Sequence, residues 1–325
     1  MPRSFPLPSP VAVGTLLAVG AALLACGAVP VGPELLGGLG SLVVTTTFTW
    51  VLAARTGGRP IVFSVLALGM GAAVLLLDRS WLDTGAAVLT CTQAAVLAVM
   101  TTVPAPRFVE AARECALAMV TAGLGAVAAV GWQPVVSQVR VEYAVLVLAL
   151  VGAFLLVYRL GAGLHGLGRR GLVAVAAGAV VLVVTVAYAE LLRRYGPDGL
   201  VEQLREVADD SRDHLGAFPR PLQAVLGVPA LAWGCHMRAR RRQGWWVSAF
   251  GVAATAPVAT LLMDPAVGLG EAALSALYGL AIGLMLGYVV IRVDLALTGS
   301  RGRRARRAEE ERALRPEPAR TSPLF

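Results

Sequence analysis

The chain has 325 residues, of which 57% are hydrophobic and only 15% charged, and its mean hydropathy is +0.72. Soluble domains carry about a quarter charged residues, and a core of this size cannot hide so much apolar surface, which excludes a water-soluble enzyme or binding module. The formal charge of +8 comes from arginine alone, without lysine; the arginines lie between apolar runs and in the tail, a pattern of membrane orientation and not of nucleic-acid binding.

Apolar runs of about twenty residues follow one another, each long enough as a helix to cross a hydrocarbon core of roughly 30 Å. In chain order the sequence predicts ten spans. The first five are Val11–Val29, Leu35–Ala54, Ile61–Leu77, Thr84–Val103 and Cys115–Trp132. The others are Tyr143–Tyr158, Gly171–Ala189, Pro221–Met237, Trp245–Met263 and Ala272–Ile291. Valine, leucine, alanine and glycine repeat without period-2 alternation, which argues for helices over barrel strands. The expected fold is an all-α integral membrane protein, a polytopic bundle of about ten transmembrane helices with both termini cytoplasmic.

Arginine placement supports that count. Arg55 and Arg59 follow span two, Arg107 and Arg113 span four, and Arg159, Arg169 and Arg170 span six. Arg238 and Arg240–Arg242 follow span eight, and an arginine-rich tail follows span ten. Of the intervening connections, those after spans one and nine carry no arginine, those after spans three and five carry one each (Arg79, Arg140), and the long one after span seven sets five arginines beside six acidic residues. Positive charge that alternates in this way places the even-numbered connections in the cytoplasm. Trp81, Trp132 and Tyr143 then fall near the outer edge, and Trp50, Tyr158 and Trp245 near the inner one, as amphipathic rings prefer.

The organisation expected is a cytoplasmic segment 1–10, a seven-span portion 11–192, an outer amphipathic loop 193–220, a three-span portion 221–294 and a disordered arginine-rich tail 295–325. The loop carries Leu200, Leu204, Val207 and Leu215 at near-helical spacing, with Asp198 as N-cap and Gly216 as stop. The tail is expected to lie near anionic headgroups. The run ending at Cys26 loosely resembles a lipoprotein signal, but Leu24 before Ala25 fits poorly, so an uncleaved first span is expected.

Few residues point to chemistry. Gly161–Gly166 matches GxGxxG literally but follows a membrane span, not a strand, so a turn is expected and no nucleotide site. His165, His214 and His236 are scattered, and the four cysteines form no CxxC pair; no metal, cofactor or catalytic residue is assigned. Intramembrane acids usually mark ion coupling, and none lies near the middle of a span.

The hydroxyl-rich stretches Thr45, Thr46, Thr47, Thr49 and Thr90, Thr92, Gln93 prefer a protein interior or a wet cavity to lipid. Pro229 and Pro257 free backbone carbonyls in spans eight and nine. Together they define an expected polar path between spans two, four, eight and nine. Gly279, Gly283 and Gly287 form a smooth ridge for close helix packing, within the chain or in a homo-oligomer.

Tyr158–Arg170, Phe218–Gln223 and Arg238–Trp246 resemble segments of uncharacterised multi-pass membrane proteins of high-G+C actinobacteria. The resemblance implies a bacterial plasma membrane and brings no activity. Ten spans with inside termini are also similar, at the level of fold, to the drug/metabolite transporter superfamily. The leading expectation is permease-like passage of a small uncharged or amphipathic solute. The alternative is a membrane scaffold or assembly subunit with a protein partner; an enzyme on lipid-linked substrates comes third.

Overall fold

The computed structural model describes residues 9–29, 33, 35–135, 138–162, 164–240, 244–264, 266–298 and 317–324. Helices dominate. The first six are α1 (Pro10–Gly27), α2 (Leu35–Arg55), α3 (Pro60–Leu77), α4 (Ser80–Met100), α5 (Phe108–Val130) and α6 (Gln138–Val157). A π turn over Tyr158–Ala162 leads to α7 (Leu164–Tyr195) and the short α8 (Asp198–Leu215). A second π turn, Gln223–Gly227, runs into α9 (Val228–Arg238), then come α10 (Gly244–Ala249), α11 (Val252–Ala259) and α12 (Leu269–Thr298).

Nine helical segments among the described residues are long and apolar enough to cross a membrane. Spans one to seven and ten of the sequence reading each fall on one helix. Span nine is broken at Phe250–Gly251 into α10 and α11, with Pro257 inside the second piece. Span eight is the π turn plus α9, helical without interruption over 221–238, which is about 27 Å at 1.5 Å per residue. Pro229 cannot donate a backbone bond, and a π turn just ahead of proline is one way a helix absorbs that loss.

Helix starts follow local chemistry. The Ser9 hydroxyl accepts from the Ala12 amide at 3.1 Å, and Pro10 opens α1. Gly216, at φ +76°, stops α8 in the left-handed conformation that glycine tolerates. Asp198 is the first residue of α8 and Pro197 its cap, one position earlier than the spacing suggests.

The centre of the bundle is densely packed. Span nine is 89% buried and packs against α4, α5, α6 and α9. Small side chains fill this region, among them Ala94, Ala95 and Ala98 of α4, Ala122 of α5 and Ala253 and Ala254 of α11, all fully enclosed. Lipid supplies no hydrophobic drive for helices to associate, so close backbone approach and hydrogen bonds must hold them. Thr255 Oγ1 donates to Ala95 O at 2.9 Å, Ser41 Oγ to Ala128 O at 2.7 Å and Cys91 Sγ to Ala259 O at 3.0 Å. By contrast, none of Val175–Leu192 in α7 is buried.

The two ends of the bundle sort as the arginines imply. The end of α2, the α4–α5 connection, the start of α5 and the end of α9 meet at one end. Gly27, Gly37, Gln133 and Asp264 share a recess of about 390 Å³ at the other. Around α8, Tyr278 Oη donates to Leu215 O at 2.8 Å and Arg212 pairs with Glu271 at 3.4 Å, while Leu200, Leu204 and Val207 stay exposed.

Two expectations need adjusting. The fifth helix begins at Phe108 and not at Cys115, which brings Glu110, Arg113 and Glu114 inside it. Where the sequence reading starts a disordered tail at 295, α12 runs on to Thr298, and Glu317–Leu324 are packed against the bundle. Arg301–Arg307 lie outside the described residues.

Candidate functional site

Helix α3 packs along α2 but touches α4 at few points, leaving a groove between α3 and α4. The groove holds about 450 Å³ and is lined by α3 from Phe63 to Leu77 and α4 from Trp81 to Gln93, with Thr45, Thr49 and Trp132 at its floor. Every lining residue is uncharged. Leu66, Met70, Leu77, Trp81 and Leu89 are more than a third exposed on the bundle's surface, so the groove opens sideways, where lipid would lie. Gly85 contributes open space, since a Cβ added there would meet nothing within 4 Å.

The floor is a hydrogen-bonded ladder that joins α2, α4 and the turn after α5. Thr90 Oγ1 donates to Ala86 O at 2.8 Å. Having spent its one proton there, it accepts from Trp132 Nε1 at 3.0 Å and from the Thr45 hydroxyl at 2.9 Å. One turn deeper, Gln93 Nε2 donates to Thr49 Oγ1 at 3.0 Å, and Thr49 donates to Thr45 O at 2.8 Å. Gln93 Oε1 is enclosed and has no partner. An unmet carbonyl in such surroundings is costly, and a ligand hydroxyl or amide that reached it would recover the loss.

The predicted polar path is therefore brought together only in part. Thr45, Thr49, Thr90 and Gln93 meet. Thr47 and Thr92 instead bond the carbonyls of Val43 and Val88, one turn back on their own helices. Thr46 Oγ1 is buried without a partner. Pro229 and Pro257 belong elsewhere: a Cβ on Gly287 would stand 3.4 Å from Pro229, and Pro257 lines a recess of about 190 Å³ with Glu142, Tyr143 and Arg220. Spans eight and nine contribute nothing to the groove, and α3, absent from the expectation, supplies one whole wall.

The glycine ridge packs within the chain. Cβ atoms on Gly279, Gly283 and Gly287 would crowd Gln223, Val228 and Ala232 respectively, all on the π turn and α9. His236 Nδ1 donates to Ala105 O at 3.2 Å. The glycine pattern Gly161–Gly166, with His165, lies outside the residues whose side chains are described. Among the described residues no three His, Cys, Asp or Glu side chains come together as a metal site would require.

The sequence reading missed a second constellation, at the arginine-rich end. Arg55, Glu114 and Arg238 are fully buried there. Arg238 lies over the Trp245 ring, 3.5 Å from its centroid, and donates to Thr102 Oγ1 at 2.7 Å and Thr102 O at 2.8 Å. The C-terminal segment closes over it: Glu317 faces Arg238 at 2.5 Å, and Arg320 clasps Glu114 with two bonds of 2.6 Å. The available signal was an arginine at the end of an apolar run, which also reads as topology anchoring.

With that geometry in place, likeness to other proteins adds nothing further: neither a known protein family, nor a curated protein, nor a solved structure matches this chain.

Proposed function

We propose that this multi-pass membrane protein takes an uncharged amphipathic molecule from the bilayer into the α3–α4 groove, as the binding step of permease-like passage in a bacterial plasma membrane. One observation carries the reading: a laterally open apolar groove without a charged lining residue has a hydroxyl-and-amide floor, and Gln93 keeps an acceptor unspent. Apolar walls suit an acyl or ring body, and the floor suits one or two hydroxyl or amide groups. The direct test is crosslinking with a photoactivatable diacylglycerol in the purified protein. Labelling should concentrate on α3 and α4 and fall at least about tenfold in Gly85→Leu, whose side chain fills the open space. Even labelling of all lipid-facing helices, or an unchanged pattern in the variant, would overturn the reading.

A second reading, a membrane scaffold, is favoured by the dense burial of span nine at the centre and by α7, whose exposed faces suit a partner helix. Flux of the bound molecule in proteoliposomes separates the two. A scaffold binds without transport and co-purifies with a partner in mild detergent.

A further inference from the structure

The arginine-rich end holds buried charges that are separate from the groove. Arg55 and Arg238 are both fully buried, and their opposing charge is supplied by a segment far away in sequence. Arg238 presents the Nε–Nη2 edge of its guanidinium to Glu317, with bonds of 3.3 and 2.5 Å. Its other contacts, to Thr102 and the Trp245 ring, fix the group in place without neutralising it. Arg55 donates Nε to Met100 O at 3.0 Å and turns Nη1 to three carbonyls of the C-terminal segment, those of Pro318, Ala319 and Ser322. Arg55 Nη2 is enclosed with no acceptor.

Without the segment, two buried guanidinium groups would face one opening with their donors unmet. Leaving buried charge uncompensated is strongly unfavourable, so something anionic must stand there. Both Glu317 oxygens face Arg238, while Arg55 takes backbone carbonyls and keeps Nη2 unmet. A phosphoryl group has the further oxygens that would serve both arginines at once, and arginine forks match it two bonds at a time.

We propose that Arg55, Arg238 and Thr102 form a phosphoryl-binding site at the inner end of the bundle, and that Glu317 occupies it as the chain's own substitute ligand. Arg320 secures the substitute. Its paired bonds to Glu114, which also accepts from the Val103 amide at 3.1 Å, hold the segment down beside the site without touching it. A phosphoryl ligand and the C-terminal segment therefore exclude one another. The shared chemistry fits either a soluble phosphate or the phosphate of a lipid headgroup.

Two full-length variants test the site. Glu317→Gln weakens the substitute, and Arg320→Ala frees the segment while leaving Arg55, Arg238 and Thr102 intact. Binding of inorganic phosphate is read by thermal shift in detergent, and the lipid source by comparing nanodiscs with and without phosphatidic acid. If the segment fills the site nine-tenths of the time, either variant gains about tenfold in apparent affinity over the wild type. Adding Arg238→Gln to the Arg320→Ala chain abolishes that gain. A gain with inorganic phosphate assigns a soluble ligand, and a gain with phosphatidic acid alone assigns a lipid. Equal affinity in wild type and both variants, or binding in none of them to either probe, overturns the proposal; should one variant fail to fold, the other carries the test.

Discussion

Replacing Thr90 by valine keeps the shape of the side chain and removes the hydroxyl on which the groove floor converges. Thr90 Oγ1 joins α4 to the turn after α5 through Trp132 and to α2 through Thr45, at 3.0 and 2.9 Å. Trp132 is 4% exposed, so its indole N–H would be left without water or protein acceptor. Thr45 suffers less, because its hydroxyl can turn to a carbonyl of its own helix. Interhelical hydrogen bonds in membranes average about 0.6 kcal/mol, and a stranded buried donor costs about 1–3 kcal/mol. The expected loss is therefore roughly 1–3 kcal/mol, with Thr90→Ser close to the wild type and Thr45→Val well below Thr90→Val. Reversible unfolding in mixed micelles, followed by far-ultraviolet circular dichroism, gives the values. In a Trp132→Phe background the stranded donor is gone, and Thr90→Val should then lose most of its effect. If Thr90→Val costs the same in both backgrounds, or less than about 0.3 kcal/mol in the wild type, the ladder does not hold the floor and the reasoning fails.

Gly227→Ala should abolish stable expression, because the new methyl would overlap the backbone of Ala253 and Ala254, which no rotamer change relieves; overpacking of this kind costs about 1–3 kcal/mol or more, and a detergent-extracted yield from membranes equal to wild type would refute it. Glu114→Gln removes the carboxylate that accepts from Val103, Arg113 and Arg320, and should lower stability by about 1.5–3 kcal/mol; the partly exposed partners Arg113 and Arg320 can turn to water, so a larger loss would point to a role beyond these bonds. Gly85→Leu should leave thermal stability within about 0.5 kcal/mol of wild type, since its Cβ meets no atom; a marked loss would mean the groove closes in the membrane. Reporters fused after Arg240 and after Gly268 should face opposite sides, the first in the cytoplasm; the same side for both would undo the topology.

Much of the fold is legible because bilayer thickness sets helix length and the charge of the loops sets direction. Span eight shows how far this goes: alternation of arginines asks for a crossing there although Pro229 breaks the apolar run, and the structure has a continuous helix over 221–238 by way of a π turn, outside the nine segments apolar enough to cross. Helix ends were less legible. Glu110, Arg113 and Glu114 read as a loop because they are charged, yet they lie in α5, where Glu110 is paired with Arg107 and Glu114 with Arg320. A charge that finds its partner across the fold no longer marks the boundary of a helix.

The candidate site divides in the same way. Threonine and glutamine in apolar runs had to find partners inside protein, and that much follows from composition alone, because lipid offers none. Which of them meet is a matter of rotation and crossing angle: Thr45, Thr49, Thr90 and Gln93 face one another, while Thr47 and Thr92, on the same helices, turn to their own backbones. The groove itself exists because α3 leans away from α4, and its uniformly apolar sequence carries no mark of that. The docking of Glu317 and Arg320 on charges more than two hundred residues earlier in part, and seventy-nine in part, depends on contacts between distant segments. Hydropathy and charge are sums over neighbours in the chain, so they place a residue at a depth and on a side; only packing decides what stands next to it.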